Sequence, residues 1–309
     1  MSTKPVGIVG GGLMGAGIAT KFALAGHEAL VLETSPQRRA TIPAVVEGIL
    51  QELLAAGVIN PAAGAAASAR IKLVDGLPAL AGAALVIEAI PEVLALKLEL
   101  YRDLEAVLAP DALLASNTSG FMPDALSSGL ARPERFLITH FWNPPHAIPL
   151  VEVVPGTRTA PASVDQTVAV LRAIGAEPVV LRKAVPGFIG NRLQFAVMRE
   201  ALHLVRTGVA DPETIDTVMK ASLGRRYGIV GRHSFAVNQR DLFIERHLFH
   251  HQVGALVGRE AGVHPWAGWF GGLMLLRGKR KGSGRCQGKS KGGKAQRCFH
   301  TTPTAKTFI

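Results

Sequence analysis

Apolar residues follow two rhythms along this chain. Short, almost unbroken apolar runs occur at Val6–Val9, Glu28–Leu32, Ile71–Val74, Ala84–Glu88, Ala112–Ala115, Phe136–His140, Leu150–Val154 and Pro178–Leu181. Runs of this length without polar alternation predict strands covered on both faces, as in a parallel sheet. Between them, apolar positions recur at helical spacing from Leu13 to about Ala25, and again over Pro43–Ala56, Leu94–Leu108 and Ala162–Ile174. Strand and helix in turn predict an α/β fold with a doubly wound parallel sheet. The Ala/Gly-rich segment Pro61–Ala69 reads as a loose connection. Pro186-Gly187-Phe188 then ends the alternation, and the pattern becomes helical, over Leu193–Thr207 and over Pro212–Leu223 with Asp211 as N-cap. The expected organisation is a sheet domain over 1–185 and the start of an all-helical second domain over 186–231. Beyond it, 232–309 forms a His/Gly-rich basic tail without periodicity, expected to be poorly ordered.

Bulk numbers change this picture in one place. The 309 residues are 48% hydrophobic, enough for a sizeable core, and carry a formal charge of +11. That charge is confined to the tail: residues 1–231 hold 20 basic and 20 acidic side chains, whereas 232–309 hold 14 and 3. The body's ligand therefore cannot be read from charge. The nine Lys/Arg between Arg277 and Arg297 have no aromatics interleaved, which excludes a stacking platform for specific nucleic-acid binding. The apolar stretch Ala261–Leu276 is short for a span and contains His264 and Pro265, so no membrane association is expected. His247, His250, His251, Cys286, Cys298 and His300 match no common metal spacing, and no metal is expected. With Cys286 and Cys298 as the two cysteines and no leader pattern at the start, a reducing, cytoplasmic setting is the expectation.

The strongest chemical signal is the first strand running into Gly10-Gly11-Gly12-Leu13-Met14-Gly15, a GxGxxG loop that opens a helix. Gly10 permits a tight turn, Gly12 lets a pyrophosphate approach the backbone, and Gly15 lets the helix pack close to the strand. Amides from about Leu13 and the positive end of the helix dipole suit phosphate. Glu33 ends the second strand 18 residues past Gly15, where a carboxylate accepts both ribose hydroxyls and repels a 2′-phosphate. A Rossmann-type sheet is thus expected, with NAD favoured over NADP as its cofactor; Arg38 and Arg39 are a counter-signal toward NADP.

Hydride transfer needs a partner for the proton. Among His27, His140, His146 and His203, His140 stands out because it closes a strand, with Glu152 twelve residues on in a strand expected to run nearby. A carboxylate on the second ring nitrogen fixes the tautomer and raises basicity. Ser119, unless it is only a helix N-cap, and Asn191 are candidates to hydrogen-bond a substrate oxygen.

Taken together, Gly10-Gly11-Gly12-Leu13-Met14-Gly15-Ala16-Gly17-Ile18, Ser116-Asn117-Thr118-Ser119, His140-Phe141-Trp142-Asn143-Pro144, Val151-Glu152-Val153 and Pro186-Gly187-Phe188-Ile189-Gly190-Asn191-Arg192 resemble the 3-hydroxyacyl-CoA dehydrogenase family over residues 5 to about 231. The resemblance implies His140 as general base, Glu152 as its orienting acid, Ser119 as partner of the reacting oxygen, and Asn191 as polariser of a carbonyl. It also implies Glu92, Lys97 and Asn143 as cofactor-lining residues. It further implies oxidation of a 3-hydroxyl on a 3-hydroxyacyl-CoA of the 3-hydroxybutyryl type, a place in fatty acid metabolism, and a homodimer. Two departures stand out. The run Asn143–Leu150, and Gly120, are closer to the branch holding L-gulonate 3-dehydrogenase and λ-crystallin, which points instead to a small CoA-free 3-hydroxy acid. After Gly231 the expected helical text gives way to Arg232-His233-Ser234, the signature of an out-of-frame translation. An NAD-binding protein without turnover is the alternative this leaves.

Overall fold

The computed structural model describes residues 4–225. The tail from 232, with its histidines, cysteines, basic run and apolar stretch Ala261–Leu276, lies outside the described residues. The described residues up to Ala221 belong to one compact unit.

This unit is built on an eight-stranded sheet: β1 (Val6–Val9), β2 (Ala29–Leu32), β3 (Ile71–Val74), β4 (Leu85–Glu88), β5 (Leu113–Ser116), β6 (Phe136–Phe141), β7 (Leu150–Pro155) and β8 (Glu177–Val180). Their spatial order is β3-β2-β1-β4-β5-β6-β7-β8. Every pairing is parallel except β6 with β7. The chain returns to the middle of the sheet between β3 and β4, so β1 and β4 flank the point where strand order reverses. Ligands bind at the carboxyl ends of strands at such a point.

Strand side chains alternate between two cores. Ile8, Val31, Ile87, Ala115 and Leu137 pack with α1 (Leu13–Leu24), α2 (Pro36–Ala55) and α6 (Pro161–Ala173). On the other face Val86, Leu114, Phe136, Ile138 and Val154 pack with Tyr101 and Leu104 of α4 (Leu94–Val107). The uninterrupted apolar runs follow from this double cover.

Two elements differ from the sequence reading. α2 begins at Pro36, not Pro43, with Ser35 as its N-cap. Pro43 faces solvent inside the helix, while Ile42 and Val46 beside it are buried, so core contacts override the interruption. The segment read as a loose connection is a helix, α3 (Pro61–Arg70): Asn60 caps it by accepting from Ala63 N–H at 2.8 Å, and Pro61 occupies its first turn. Alanine is the best helix former, and the small Gly64 and Ala67 form the buried side.

After β5 comes the short α5 (Pro123–Leu126), and after β8 the helices α7 (Gly190–Arg206) and α8 (Pro212–Val218). Asp211 caps α8 through Thr214 N–H at 2.7 Å.

Candidate active site

Two cavities adjoin at the carboxyl ends of the strands. The larger, about 730 Å³, is lined by Gly10, Gly12, Leu13, Glu33, Arg38 and Ala89 among others. The second, about 460 Å³, is lined by His140, Ser119, Asn143, Asn191, Glu92 and Gln194 among others. Met14 and Ile90 line both, so one elongated ligand can run from one into the other.

The first cavity has the form of a dinucleotide seat. Gly10 sits at φ +102, and a Cβ there would lie 2.6 Å from the Ala89 carbonyl. Gly15 is tighter: its Cβ would fall 1.8 Å from the Gly10 carbonyl. The helix therefore starts hard against the turn, and no side chain caps its N-terminus at Gly12, whose Cβ position opens into empty space. A pyrophosphate fits this cradle. Glu33 is nearly buried, and its two oxygens are fixed by Gly11 N–H and Ser35 N–H, each at 2.9 Å. One lone pair per oxygen is left for a ribose hydroxyl. The two arginines part company: Arg39 is tied to the Val74 carbonyl and Asp75, while Arg38 lines the cleft.

In the second cavity, antiparallel β6 and β7 set His140 directly opposite Glu152. His140 Nδ1 and Glu152 Oε2 are 2.8 Å apart, with His140 7% and Glu152 1% exposed. Glu152 Oε2 also accepts from Trp142 Nε1 at 3.4 Å, and Oε1 from Ile189 N–H at 2.9 Å and Gly190 N–H at 3.0 Å. Burial raises the pKa of this carboxyl, but the hydrogen bonds from His140 and from the amides of Gly190 and Ile189 outweigh it, and the net shift is downward. A charged carboxylate on Nδ1–H leaves Nε2 as the ring's basic atom. Phe188 and Trp142 pack on the imidazole at centroid distances of 5.4 and 5.6 Å.

The remaining positions divide. Ser119 faces the cavity on the loop after β5 and caps no helix, since α5 has Met122 at that position. Asn117 Oδ1 accepts from Phe141 N–H at 2.9 Å and pins that loop to β6. Asn191 lies in the first turn of α7 and Asn143 follows β6, both on the wall. Glu92 is on the wall too, but Lys97 lies in the lining of neither cavity: it is 1% exposed, and its ammonium is spent on Glu88 at 2.6 Å and Glu92 at 3.1 Å. The other body histidines lie elsewhere. His27 packs edge-on to Phe22, His146 Nε2 is 3.4 Å from Glu52, and His203 lies far along α7. Gln194, Trp142 and Asn117 also line the cavity; Trp142 and Asn117 stand in the sequence motifs without an assigned role, and Gln194 was not singled out from sequence. Gln194 was within reach of that reading, because it lies three residues past Asn191, on the same helical face.

Comparison with known proteins matches this architecture. Residues 5–185 match the family model "3-hydroxyacyl-CoA dehydrogenase, NAD binding domain", and residues 187–236 match "3-hydroxyacyl-CoA dehydrogenase, C-terminal domain". The chain belongs to the 3-hydroxyacyl-CoA dehydrogenase family: it is an oxidoreductase of CH–OH groups, and its cofactor is NAD. Among individual proteins, it is 36% identical over 232 residues to 5-formyl-3-hydroxy-2-methylpyridine 4-carboxylate 5-dehydrogenase of Mesorhizobium japonicum, covering 74% of this chain and 73% of that one. It is 39% identical over 224 residues to L-carnitine dehydrogenase of Burkholderia mallei, covering 72% and 68%. The crystal structure of (S)-3-hydroxybutyryl-CoA dehydrogenase from Ralstonia eutropha superposes with a TM-score of 0.67 at 32% identity, covering 72% and 78%.

Proposed function

We propose that this chain oxidises a 3-hydroxyl to a 3-keto group, with His140 as the general base. The observation that carries the reading is the His140–Glu152 pair, 2.8 Å apart and buried, in a cavity that adjoins the glycine cleft through Met14 and Ile90. NAD bound in the cleft supplies the hydride acceptor. His140 Nε2 takes the hydroxyl proton. Glu152 keeps Nδ1 protonated and offsets the positive charge that then grows on the ring. Ser119 and Asn191, which line the same cavity, hold the substrate oxygens, which orients the reacting C–H bond. Gly10, Gly12, Leu13, Met14 and Gly15 hold the pyrophosphate, Glu33 the adenosine ribose, and Glu92 and Asn143 border the end near His140. Lys97 serves from behind Glu92.

The first reading of the substrate is a short 3-hydroxyacyl-CoA of the 3-hydroxybutyryl type, supported by the family's description and by the similarity to (S)-3-hydroxybutyryl-CoA dehydrogenase. A small CoA-free hydroxy acid is the second reading. It is supported by the run Asn143–Leu150 and by the 39% identity to an L-carnitine dehydrogenase. The two separate in one experiment: kcat/KM for NADH formation from 3-hydroxybutyryl-CoA, L-gulonate and L-carnitine. Turnover of the thioester alone supports the first reading, and turnover of either CoA-free compound alone supports the second. Bound NAD with no NADH from any of the three overturns the proposed oxidation.

A further inference from the structure

One buried carboxylate beneath the site takes no part in the steps above. Glu88 closes β4 and has no exposed surface. Four donors converge on it. Oε1 accepts from Ile90 N–H at 2.7 Å and Lys97 Nζ at 2.6 Å, and Oε2 from the Tyr101 hydroxyl at 2.5 Å and Ser116 Oγ at 2.7 Å. That fills the roughly four acceptor sites a carboxylate has. Burial, and next the charge of Glu88, push the pKa of Tyr101 up, so its proton stays on as a donor. The Glu88 main-chain carbonyl accepts from Asn117 N–H at 2.8 Å.

The donors come from three directions: α4, the loop after β4, and the end of β5. From α4 and from the end of β5 a further bond reaches toward the cavity wall, and Ile90 itself lines it. Lys97 also holds Glu92 at 3.1 Å, and Glu92 accepts from the Thr118 hydroxyl and from Gly120 N–H at 3.3 Å. Ser116 Oγ accepts from Thr118 N–H at 3.2 Å. Thus Ile90, Glu92 and Asn117, on the wall of the His140 cavity, trace back to a single buried group, and Ser119 on the same wall lies between Thr118 and Gly120, which these bonds hold. None of these bonds is made to the Gly10–Gly15 turn or to Glu33, and of the wall residues they hold only Ile90 also lines the glycine cavity.

We propose that Glu88 is a positioning residue that sets the two loops after β4 and β5 against the nicotinamide end of the cofactor. This rests on the reading above, in which that end of NAD enters the His140 cavity. Groups held to a fraction of an ångström at a site depend on supports of this kind. The alternative is a purely structural ion pair, whose loss would disturb both ends of the cofactor site together.

The test compares two probes, NADH and ADP-ribose, on the full chain and on two variants, Glu88→Gln and Ser116→Ala. ADP-ribose carries the adenosine and pyrophosphate but no nicotinamide. The proposal expects both variants to bind ADP-ribose within about twofold of the unaltered chain. It expects NADH to bind at least about fivefold more weakly, with a smaller change in nicotinamide fluorescence. Ser116→Ala alters no charge, so it decides the matter should Glu88→Gln not fold. Unchanged NADH affinity in Ser116→Ala overturns the proposal, as does equal weakening for both probes. An unaltered chain whose affinity and fluorescence show no nicotinamide contact instead overturns the reading on which the proposal rests.

Discussion

The carboxyl edge of the sheet and helix α7 face the same cavity, yet they are held in opposite ways. At the sheet edge, Glu33, Glu88 and Glu152 are buried carboxylates with each oxygen bonded, and the strands beneath them are packed on both faces. No residue of α7 is buried, and Leu193, Phe195, Val197, Met198 and Leu202 are 44–56% exposed. Its cavity-facing end is tied down chiefly through Glu152, which accepts the Ile189 and Gly190 amides, and through Phe188 and Trp142 at the imidazole. The cofactor side is therefore braced by its own core, while the side carrying Asn191 and Gln194 hangs on a few contacts. On the proposed function, substrate positioning is the more fragile half of the chemistry, and Glu152 serves both halves.

Four outcomes break or sharpen this contrast, the largest first. Leu137→Ala, in a fully buried strand position, is expected to cost about 2–5 kcal/mol in denaturant unfolding; a cost near zero would mean the sheet is not the braced region. Glu152→Gln removes the charge that orients His140 and that binds the α7 amides. NADH formation should fall about a hundredfold, with amide exchange accelerated in 190–206 but not in β1 or β4. Uniform exchange across the molecule would erase the distinction between the two regions. Acid comes next. The folded pKa of Glu152 lies below its ordinary value, so its stabilisation is present above the ordinary carboxylate range and is lost as pH falls through the lowered value. The gap in Tm between the unaltered chain and Glu152→Gln should accordingly close as pH falls, and a gap independent of pH would contradict that assignment. The smallest effect is expected from Leu202→Ala on the exposed face of α7, within about 0.5 kcal/mol by the same unfolding assay. A cost as large as that of Leu137→Ala would show that this face is covered.

Much of this was legible in the chain itself. The glycine turn, Glu33 and the apolar strands are local patterns, and the structure places them at one cleft because a doubly wound sheet must bring its strand ends together there. The His140–Glu152 pairing was legible as two strands twelve residues apart, though not as direct cross-strand neighbours. What escaped depends on contacts between distant segments or on composition that misleads. α3 looked like a linker because alanine and glycine give no apolar contrast, although alanine favours helix. The start of α2 was hidden by Pro43, which sits on the solvent side. The resemblance implies Lys97 as a cofactor-lining residue, but Glu88, nine residues earlier, draws it under the wall. Trp142 and Phe188 become part of the site only once β6 and the segment before α7 meet around the imidazole.

The sequence beyond Gly231 keeps its own proposal, an out-of-frame translation. Family-like helical text in another reading frame after codon 231 would support it, and the absence of such text in both other frames would sink it.

The central claim, that His140 removes the substrate's proton while the glycine cleft holds the cofactor on its own, is met most directly by measuring NAD affinity and the rate of NADH formation on the same preparation of His140→Ala. The account predicts affinity within about twofold of the unaltered chain and a rate lower by a factor of roughly 10² to 10⁴. A variant that keeps its rate, or that loses NAD together with turnover, would contradict it.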